Sequence, residues 1–293
     1  MKCDMIASQD RSKSLPRARQ CSLLSMARSG FYKHQKAVPT KRELADRELL
    51  PRIRQLHAAS GETYGVPMIR RGLLADGIGV GKARIRRLML SAGLEAKGRR
   101  RVSRRVTFER QVSEENKLGR DFSPGAPGKR WSADLTELPS REGVCYLAAV
   151  EDIGTRGIVG WSWSPRRDDS LSISALEMAV SRKRPAPGLI HHADQGGQYW
   201  SKAYQAAVEK AGMTKSCSGR GACADNAVIE SFFGTLKSQC PALRTLPPTK
   251  EVAALGAIDW IETWYNRRRM HSTLGYRTPQ DYEAMQLTKA PNH

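Results

Sequence analysis

The sequence predicts an α/β protein, a mixed sheet flanked by helices, preceded by small all-α modules. Three observations carry that prediction. Apolar residues recur at helical spacing between 42 and 95, short strand-like runs begin at Trp131, and helix and strand patterns alternate beyond Leu171. Charge divides the chain in the same way: residues 1–120 hold 28 Lys and Arg against 11 Asp and Glu, whereas 121–293 hold 21 against 18. The formal net charge is +20 over 293 residues, and 40% apolar content suffices for ordinary cores.

The front of the chain reads as helical. Residues 16–35, PRARQCSLLSMARSGFYKHQ, hold two short helical pieces around Met26 to Gly30, a pattern compatible with a small helix-turn-helix within a segment 1–40. Over 41–96, Leu49, Ile53 and Leu56 suit one helical face, Met68, Ile69, Leu73 and Leu74 a second, and Ile85, Leu88 and Met89 a third. Asp76-Gly77 and Ala92-Gly93 supply the stops. Arg70, Arg71, Arg84, Arg86 and Arg87 flank these faces, as in a DNA-binding helical domain; a helical bundle with a solvated basic surface is the alternative. A front half this basic suits a polyanion, most commonly nucleic acid, because each neutralised phosphate releases a counterion.

Lys97 to Arg105, KGRRRVSRR, has six basic residues in nine and repels itself, so it reads as a linker lying along phosphates through Arg99, Arg100, Arg101, Arg104 and Arg105. Pro124 to Gly128 closes that linker, placed at 97–128, and a core spanning 129–240 begins. WSADLTEL at 131, VCYLAAVED at 144–152 and GIVGWSWS at 157–164 are separated by short breaks and predict an antiparallel meander. A helix over Leu171 to Arg182, a strand over Leu189 to Ala193, a helix over Ser201 to Ala211, a short strand near Thr214 to Ser218 and a long helix from Asn226 complete it; 241–293 read as a helical extension. The RNase H-like fold uses this mixed order, although pattern alone leaves several α/β folds open.

Asp134 sits inside an apolar strand, Asp194 ends another, and Glu230 lies on a helix. An Asp within a strand packs poorly and ionises at a cost when half buried. On the helix, Ile229, Phe232, Phe233 and Leu236 repeat at i, i+3, i+4 and i+7, with Asp225 or Asn226 as N-cap. Glu230 sits about 100° around from Ile229, on the edge it shares with Asn226 and Lys237. Three converging carboxylates raise one another's pKa unless a cation lies between them. Their hard oxygen donors point to Mg²⁺ or Mn²⁺ rather than zinc, and two such ions suit phosphoryl transfer. The 35 residues between Asp194 and Glu230 prove little alone, because 13 Asp and 16 Glu make such an interval a matter of even chance.

The words around the carboxylates are more specific. WSADLTEL, IHHADQGGQYWS at 190, SGRGACADNAVIESFFGTLKSQ at 218 and WYNRRRMHSTLGYRTPQDYE at 264 together resemble the catalytic core of a DDE transposase, closest to orfB-type proteins of the IS-three family of bacterial insertion sequences, within the retroviral-integrase superfamily. SLLSMARSGFYKH at 22, YGVPMIRRGLL at 64 and RIRRLMLSAGLEAKGRRR at 84 resemble that family's helical modules, so the likeness covers nearly the whole chain. The resemblance implies that Asp134, Asp194 and Glu230 hold two Mg²⁺ or Mn²⁺ ions and that Lys237 touches transposon-end DNA; Asn226 becomes a DNA-contact candidate beside it, and His192 either supports a metal ligand or contacts DNA, with a packed histidine as the alternative. It also implies double-stranded DNA as partner, both ends and target, a homo-oligomer on that DNA, and a frameshift fusion to an upstream-frame partner. The chain departs from the family at His192-Ala193-Asp194-Gln195-Gly196-Gly197, where the pattern is His-Ser-Asp-Arg-Gly-Ser.

Other groups carry plainer expectations. Trp131 and Trp260 fill cores, and His191 is plain core; Asp152, Asp168, Asp169 and Asp225 serve turns or caps rather than metal. The run Tyr265, Asn266, Arg267, Arg268, Arg269 and His271 grips DNA or the core, or else forms a solvated helix end. The six cysteines include no CxxC pair, which argues for reduced thiols over a disulfide framework or zinc ribbon. With no apolar stretch of about 18 residues and no signal-peptide pattern at MKCDMIASQD, a cytoplasmic, nucleoid-associated bacterial protein without membrane contact is expected. A tyrosine recombinase is a poor alternative, since Ser-Thr-Leu follows His271. A DNA-binding repressor needing only residues 1–105, and an RNase H-like nuclease that cuts without joining, stay open.

Overall fold

The computed structural model describes residues 15–35, 39–98, 116–194, 196–218 and 223–289. Two compact units divide the chain, Met1–Ile53 and Arg54–His293. Arg99, Arg100, Arg101, Arg104 and Arg105 lie outside the described residues.

In the first unit α1 (Arg17–Leu23) and α2 (Arg28–Gln35) enclose Cys21 and Phe31, with Leu24 and Met26 against them. The two-piece reading of residues 16–35 holds. α3 (Lys41–Ala59) begins in this unit on a reciprocal cap: Glu43 N–H donates to the Thr40 hydroxyl at 3.2 Å, and Thr40 N–H donates to the Glu43 carboxylate at 2.7 Å.

In the second unit α4 (Val66–Ala75) and α5 (Lys82–Ser91) follow, burying Ile69 and Leu73 on one and Ile85, Leu88 and Met89 on the other. Each ends where the sequence puts its stop. Gly77 and Gly93 take φ of +77° and +65°, left-handed values that let Ile78 N–H reach Leu73 O at 2.8 Å and Leu94 N–H reach Met89 O at 2.9 Å.

The sheet contains β1 (Arg130–Ser140), β2 (Gly143–Asp152), β3 (Ile158–Ser164), β4 (Ile190–Ala193) and β5 (Thr214–Cys217), in the order β3-β2-β1-β4-β5. β1, β2 and β3 form the expected antiparallel meander, while β4 and β5 add parallel strands beyond β1. Alternation sends neighbouring residues to opposite cores. Leu147 and Ala149 join Ile229, Phe232, Phe233, Leu236 and Trp260, whereas Ala148 and Val150 join Trp131, Leu171, Leu176 and Val208. The second face carries α6 (Asp169–Lys183), the single turn α7 (Gly197–Trp200) and α8 (Lys202–Lys210). The first carries α9 (Ala227–Gln239), α10 (Pro241–Arg244) and α11 (Lys250–Asp259), which widens into a π-helical turn over Trp260–Tyr265. α12 (Pro279–Lys289) docks through Glu283, ion-paired with Lys183 at 2.6 Å.

Beyond the π-helical turn, Asn266 completes the edge strand β3. Its Oδ1 accepts from Ile158 N–H at 2.9 Å and its Nδ2 donates to Ile158 O at 2.9 Å, so one amide side chain does what a neighbouring strand would do. This part of the Tyr265–His271 run grips the core. Asp152 serves a turn, accepting from Gly128 and Thr155 N–H, and Asp168 caps α6 through Leu171 N–H at 3.1 Å. Cys21, Cys145, Cys217 and Cys240 are free and buried. Among the described residues no helix is long and apolar enough to cross a membrane.

Candidate active site

Arg130 to Ala133 on β1 lie opposite Ile190 to Ala193 on the parallel strand β4. Asp134 and Asp194 each come one residue after the last matched pair, so the register sets them side by side where β4 ends. Period-two alternation puts Ser132 and Asp134 on the same face of β1. There the Ser132 hydroxyl donates to Asn226 Oδ1, and Asn226 Nδ2 donates to Ala133 O at 3.4 Å. These bonds seat the foot of α9 over β1, and Glu230 lies in the first turn of that helix.

The electrostatics agree with that placement. Burial foremost, and then the charges of Asp194 and Glu230, push the Asp134 carboxyl up to about 7, against the Leu135 N–H that donates to it at 2.7 Å and the Arg167 guanidinium. Glu230, on the exposed rim, is also raised, by burial and then by Asp194. Asp194 Oδ1 accepts from Gly196 N–H at 2.9 Å. The three acids therefore share one field of negative charge with oxygen-only donors, which fits a hard divalent cation. Among the described residues, however, no three His, Cys, Asp or Glu side chains already form a group that holds a metal ion.

The DNA-contact candidates separate. Lys237 is exposed, two turns along α9 from Glu230; Arg86 and Arg87 are exposed on α5, and Arg84 is half-buried. For His192 the structure favours the packed reading over the DNA-contact one. The residue is 0% exposed, with Nδ1 against the Ser216 hydroxyl at 2.9 Å and Nε2 against Ser218 at 3.1 Å. Burial lowers its pKa to about 4, so a neutral ring fastens β4 to β5 and offers DNA no surface. The expectation for Asn226 is corrected: at 3% exposure its amide is spent on β1. It occupies the N-cap position of α9 without a side-chain capping bond. His191, expected as core, is buried with Nε2 against the Tyr204 hydroxyl at 2.7 Å.

Sequence reasoning missed the segment ahead of β1. Leu118 N–H donates to the same Ser216 hydroxyl that meets His192, and Arg120 Nε pairs with buried Asp225 at 2.5 Å, just before α9. Residues 116–120, assigned to a linker, brace the floor of the site. Their one sequence signal is Leu118, a lone apolar residue after a polar run.

A sheet of this order, with an aspartate on its central strand β1 beside another just past the end of β4, and helical modules ahead of it, defines the integrase-core class. Family models described as Integrase core domain match residues 124–223 and 211–279, and one described as HTH-like domain matches 43–102. The chain is 36% identical over 246 residues to the transposase for insertion sequence element IS904 of Lactococcus lactis, covering 84% of this chain and 97% of that one. It is 34% identical over 276 residues to transposase InsF for insertion sequence IS3A of Escherichia coli, with coverage of 91% and 93%. Its identity to the 31 kDa protein of insertion element IS600 of Shigella sonnei is 36% over 261 residues, 88% and 95% of the two chains. The chain belongs to the IS-three family of insertion-sequence transposases.

Proposed function

We propose that this transposase cleaves DNA at the ends of its element and joins the freed 3′-hydroxyl to a second phosphodiester, with Asp134, Asp194 and Glu230 as the acidic triad. One observation carries the reading: an aspartate on β1 and another just past the end of the parallel strand β4, each one residue beyond the last matched pair, with a glutamate in the first turn of α9 adding to the same field. Water attacks the phosphorus first, forming one P–O bond while the bond to the 3′-oxygen breaks and that oxygen takes a proton. The 3′-hydroxyl then attacks another phosphodiester, exchanging one P–O bond for another. No bond to the protein forms, so no Ser or Tyr nucleophile is required.

The triad would hold Mg²⁺ or Mn²⁺, two ions in this reading, and such ions supply charge neutralisation at the attacking and leaving oxygens. Helices α4 and α5, with Arg84, Arg86 and Arg87, together with the basic stretch 97–105 and Lys237, bind double-stranded end and target DNA. Assembly as a homo-oligomer on DNA and a frameshift fusion with an upstream-frame partner complete the proposal, which locates the protein at the bacterial nucleoid.

The test uses full-length protein, Mg²⁺ and labelled duplexes cut from the DNA flanking its coding sequence. Cleaved and joined products are expected from the parent, and none from Asp134→Asn, Asp194→Asn or Glu230→Gln, with DNA binding near normal in all three. Joining by any of the variants overturns the triad, and cutting without joining turns the reading into a nuclease.

A further inference from the structure

The loop between β3 and α6 brings a cation to the carboxylates. Arg167 is exposed, and the field of its guanidinium reaches Asp134. Its position is held from both sides: Arg166 N–H donates to the Ser164 hydroxyl at 3.1 Å, and Asp168, the next residue, caps α6. Arg167 Nη2 also approaches Gln198 Oε1 at 3.5 Å.

Gln198 is an unusual neighbour. At 8% exposure its Nε2 is buried and has no hydrogen-bond partner among the described residues. A buried amide left without a partner is costly. The same Nε2 lies 2.6 Å, and Asp194 Oδ1 2.9 Å, from the point a β-carbon on Gly196 would occupy. Gly196 therefore admits the Gln198 amide next to the Asp194 carboxylate, so that this one side chain spans from Asp194 to Arg167.

We propose that Arg167, positioned by Gln198, grips a non-bridging phosphate oxygen of the DNA strand whose phosphodiester lies over Asp134 and Asp194. The inference rests on the strand-transfer reading above and deepens it. A DNA strand entering a field of three carboxylates meets repulsion at each phosphate, and a guanidinium at the rim offsets it with a two-pronged, charge-assisted bond. Gln198 is a positioning residue: its Oε1 steadies the guanidinium from beneath.

The experiment measures joining kinetics for the full chain with Mg²⁺ on the flanking-DNA duplexes. One series of duplexes carries a single uncharged methylphosphonate at each phosphate around the cut. Arg167→Ala is expected to lower kcat/KM by about 100-fold, with Arg167→Lys between it and the parent. On one methylphosphonate duplex the parent falls to a similar degree while Arg167→Ala falls no further, because the charge it would grip is gone. Gln198→Leu is expected to lose about 10-fold, and the double variant to be no worse than Arg167→Ala, a coupling that independent structural damage would not produce. A parent-like rate for Arg167→Ala overturns the proposal, as does a loss that multiplies in full at every methylphosphonate position. Asp134→Asn, run alongside, separates the two ideas. If it is dead while Arg167→Ala is parent-like, only the phosphate assignment falls; if it joins DNA, the strand-transfer reading falls with it.

Discussion

Ser132 on β1 donates its hydroxyl to the side-chain oxygen of Asn226 at the foot of α9, across 94 residues of sequence. That bond links the strand carrying Asp134 to the helix carrying Glu230. Asn226→Ala leaves the Ser132 hydroxyl and Ala133 carbonyl short of partners, at a cost of about 1–3 kcal/mol. It also frees the first turn of α9 to drift. We expect a lower melting temperature together with a fall in joining on the order of 100-fold, since small misplacements of reacting groups carry penalties of that size. Thermal melts and joining assays on one preparation check it; full activity at a reduced melting temperature would separate the bond from the site.

Asp134 gives a pH-dependent prediction. In the folded chain its carboxyl keeps a proton up to about 7, against an ordinary value of 3.8, so cation-free stability is lost as pH rises between those values. Asp134→Asn keeps the shape and removes the charge. With chelator at pH 8 it should melt above the parent by a few degrees, at about 2–4 °C per kcal/mol for chains near this size. Added Mg²⁺ should raise the parent and leave the variant unmoved. A variant that melts below the parent at pH 8 in chelator contradicts the repulsion described around Asp134.

Much of this arrangement was legible in the sequence, because it rests on local periodicity. The strands from Trp131 alternate, α9 repeats its apolar residues every 3.6 positions, and Asp134 stands out as an acid within an apolar run. The roles of His192 and Asn226 were not legible. A histidine or asparagine is equally at home on DNA or in a polar network, and the deciding partners, Ser216, Ser218 and Ser132, lie 24 to 94 residues away. Residues 116–120 escaped for a related reason: their contacts with Ser216 and Asp225 are single long-range bonds that leave no repeating pattern. Gln198 and Arg167 belong to loops and one-turn elements, where periodicity carries no information.

Glu151, opposite Ser132 in the β1–β2 register, predicts a second pH effect. It is 1% exposed near the end of β2, with Oε2 lacking a partner among the described residues. Burial, aided by Asp152 and opposed by Arg156 and Arg269, pushes its carboxyl up to about 8 from 4.5. The folded chain holds that proton longer than the unfolded one, so stability falls as pH rises from 4.5 to about 8. Glu151→Gln should lose less stability between pH 5 and pH 8 in urea titrations. An equal loss in parent and variant would mean that Glu151 is ionised and compensated in the fold.

Tyr64 fastens the loop between α3 and α4 to the C-terminal segment. It is 7% exposed; its hydroxyl accepts from Met270 N–H at 3.1 Å and donates to Arg268 O at 3.3 Å, while its ring tilts against Trp264. Nearby, Arg244 Nη2 donates to Gly61 O at 2.6 Å, a second tie from the same loop to the core. Tyr64→Phe keeps the ring and removes only the hydroxyl, so the Met270 amide loses its partner and ring packing survives. Amide exchange across 266–272 should accelerate, while exchange over β1 and β2 stays unchanged, because opening there needs no loss of sheet. If α4 and α5 bind end DNA as proposed, the tie also sets where that DNA meets the triad. Affinity for end duplexes should then stay within about threefold, since no group facing DNA is lost, while joining falls by about 10-fold. Unchanged joining with faster exchange at Met270 would show that the tie stabilises the fold without aligning the two modules.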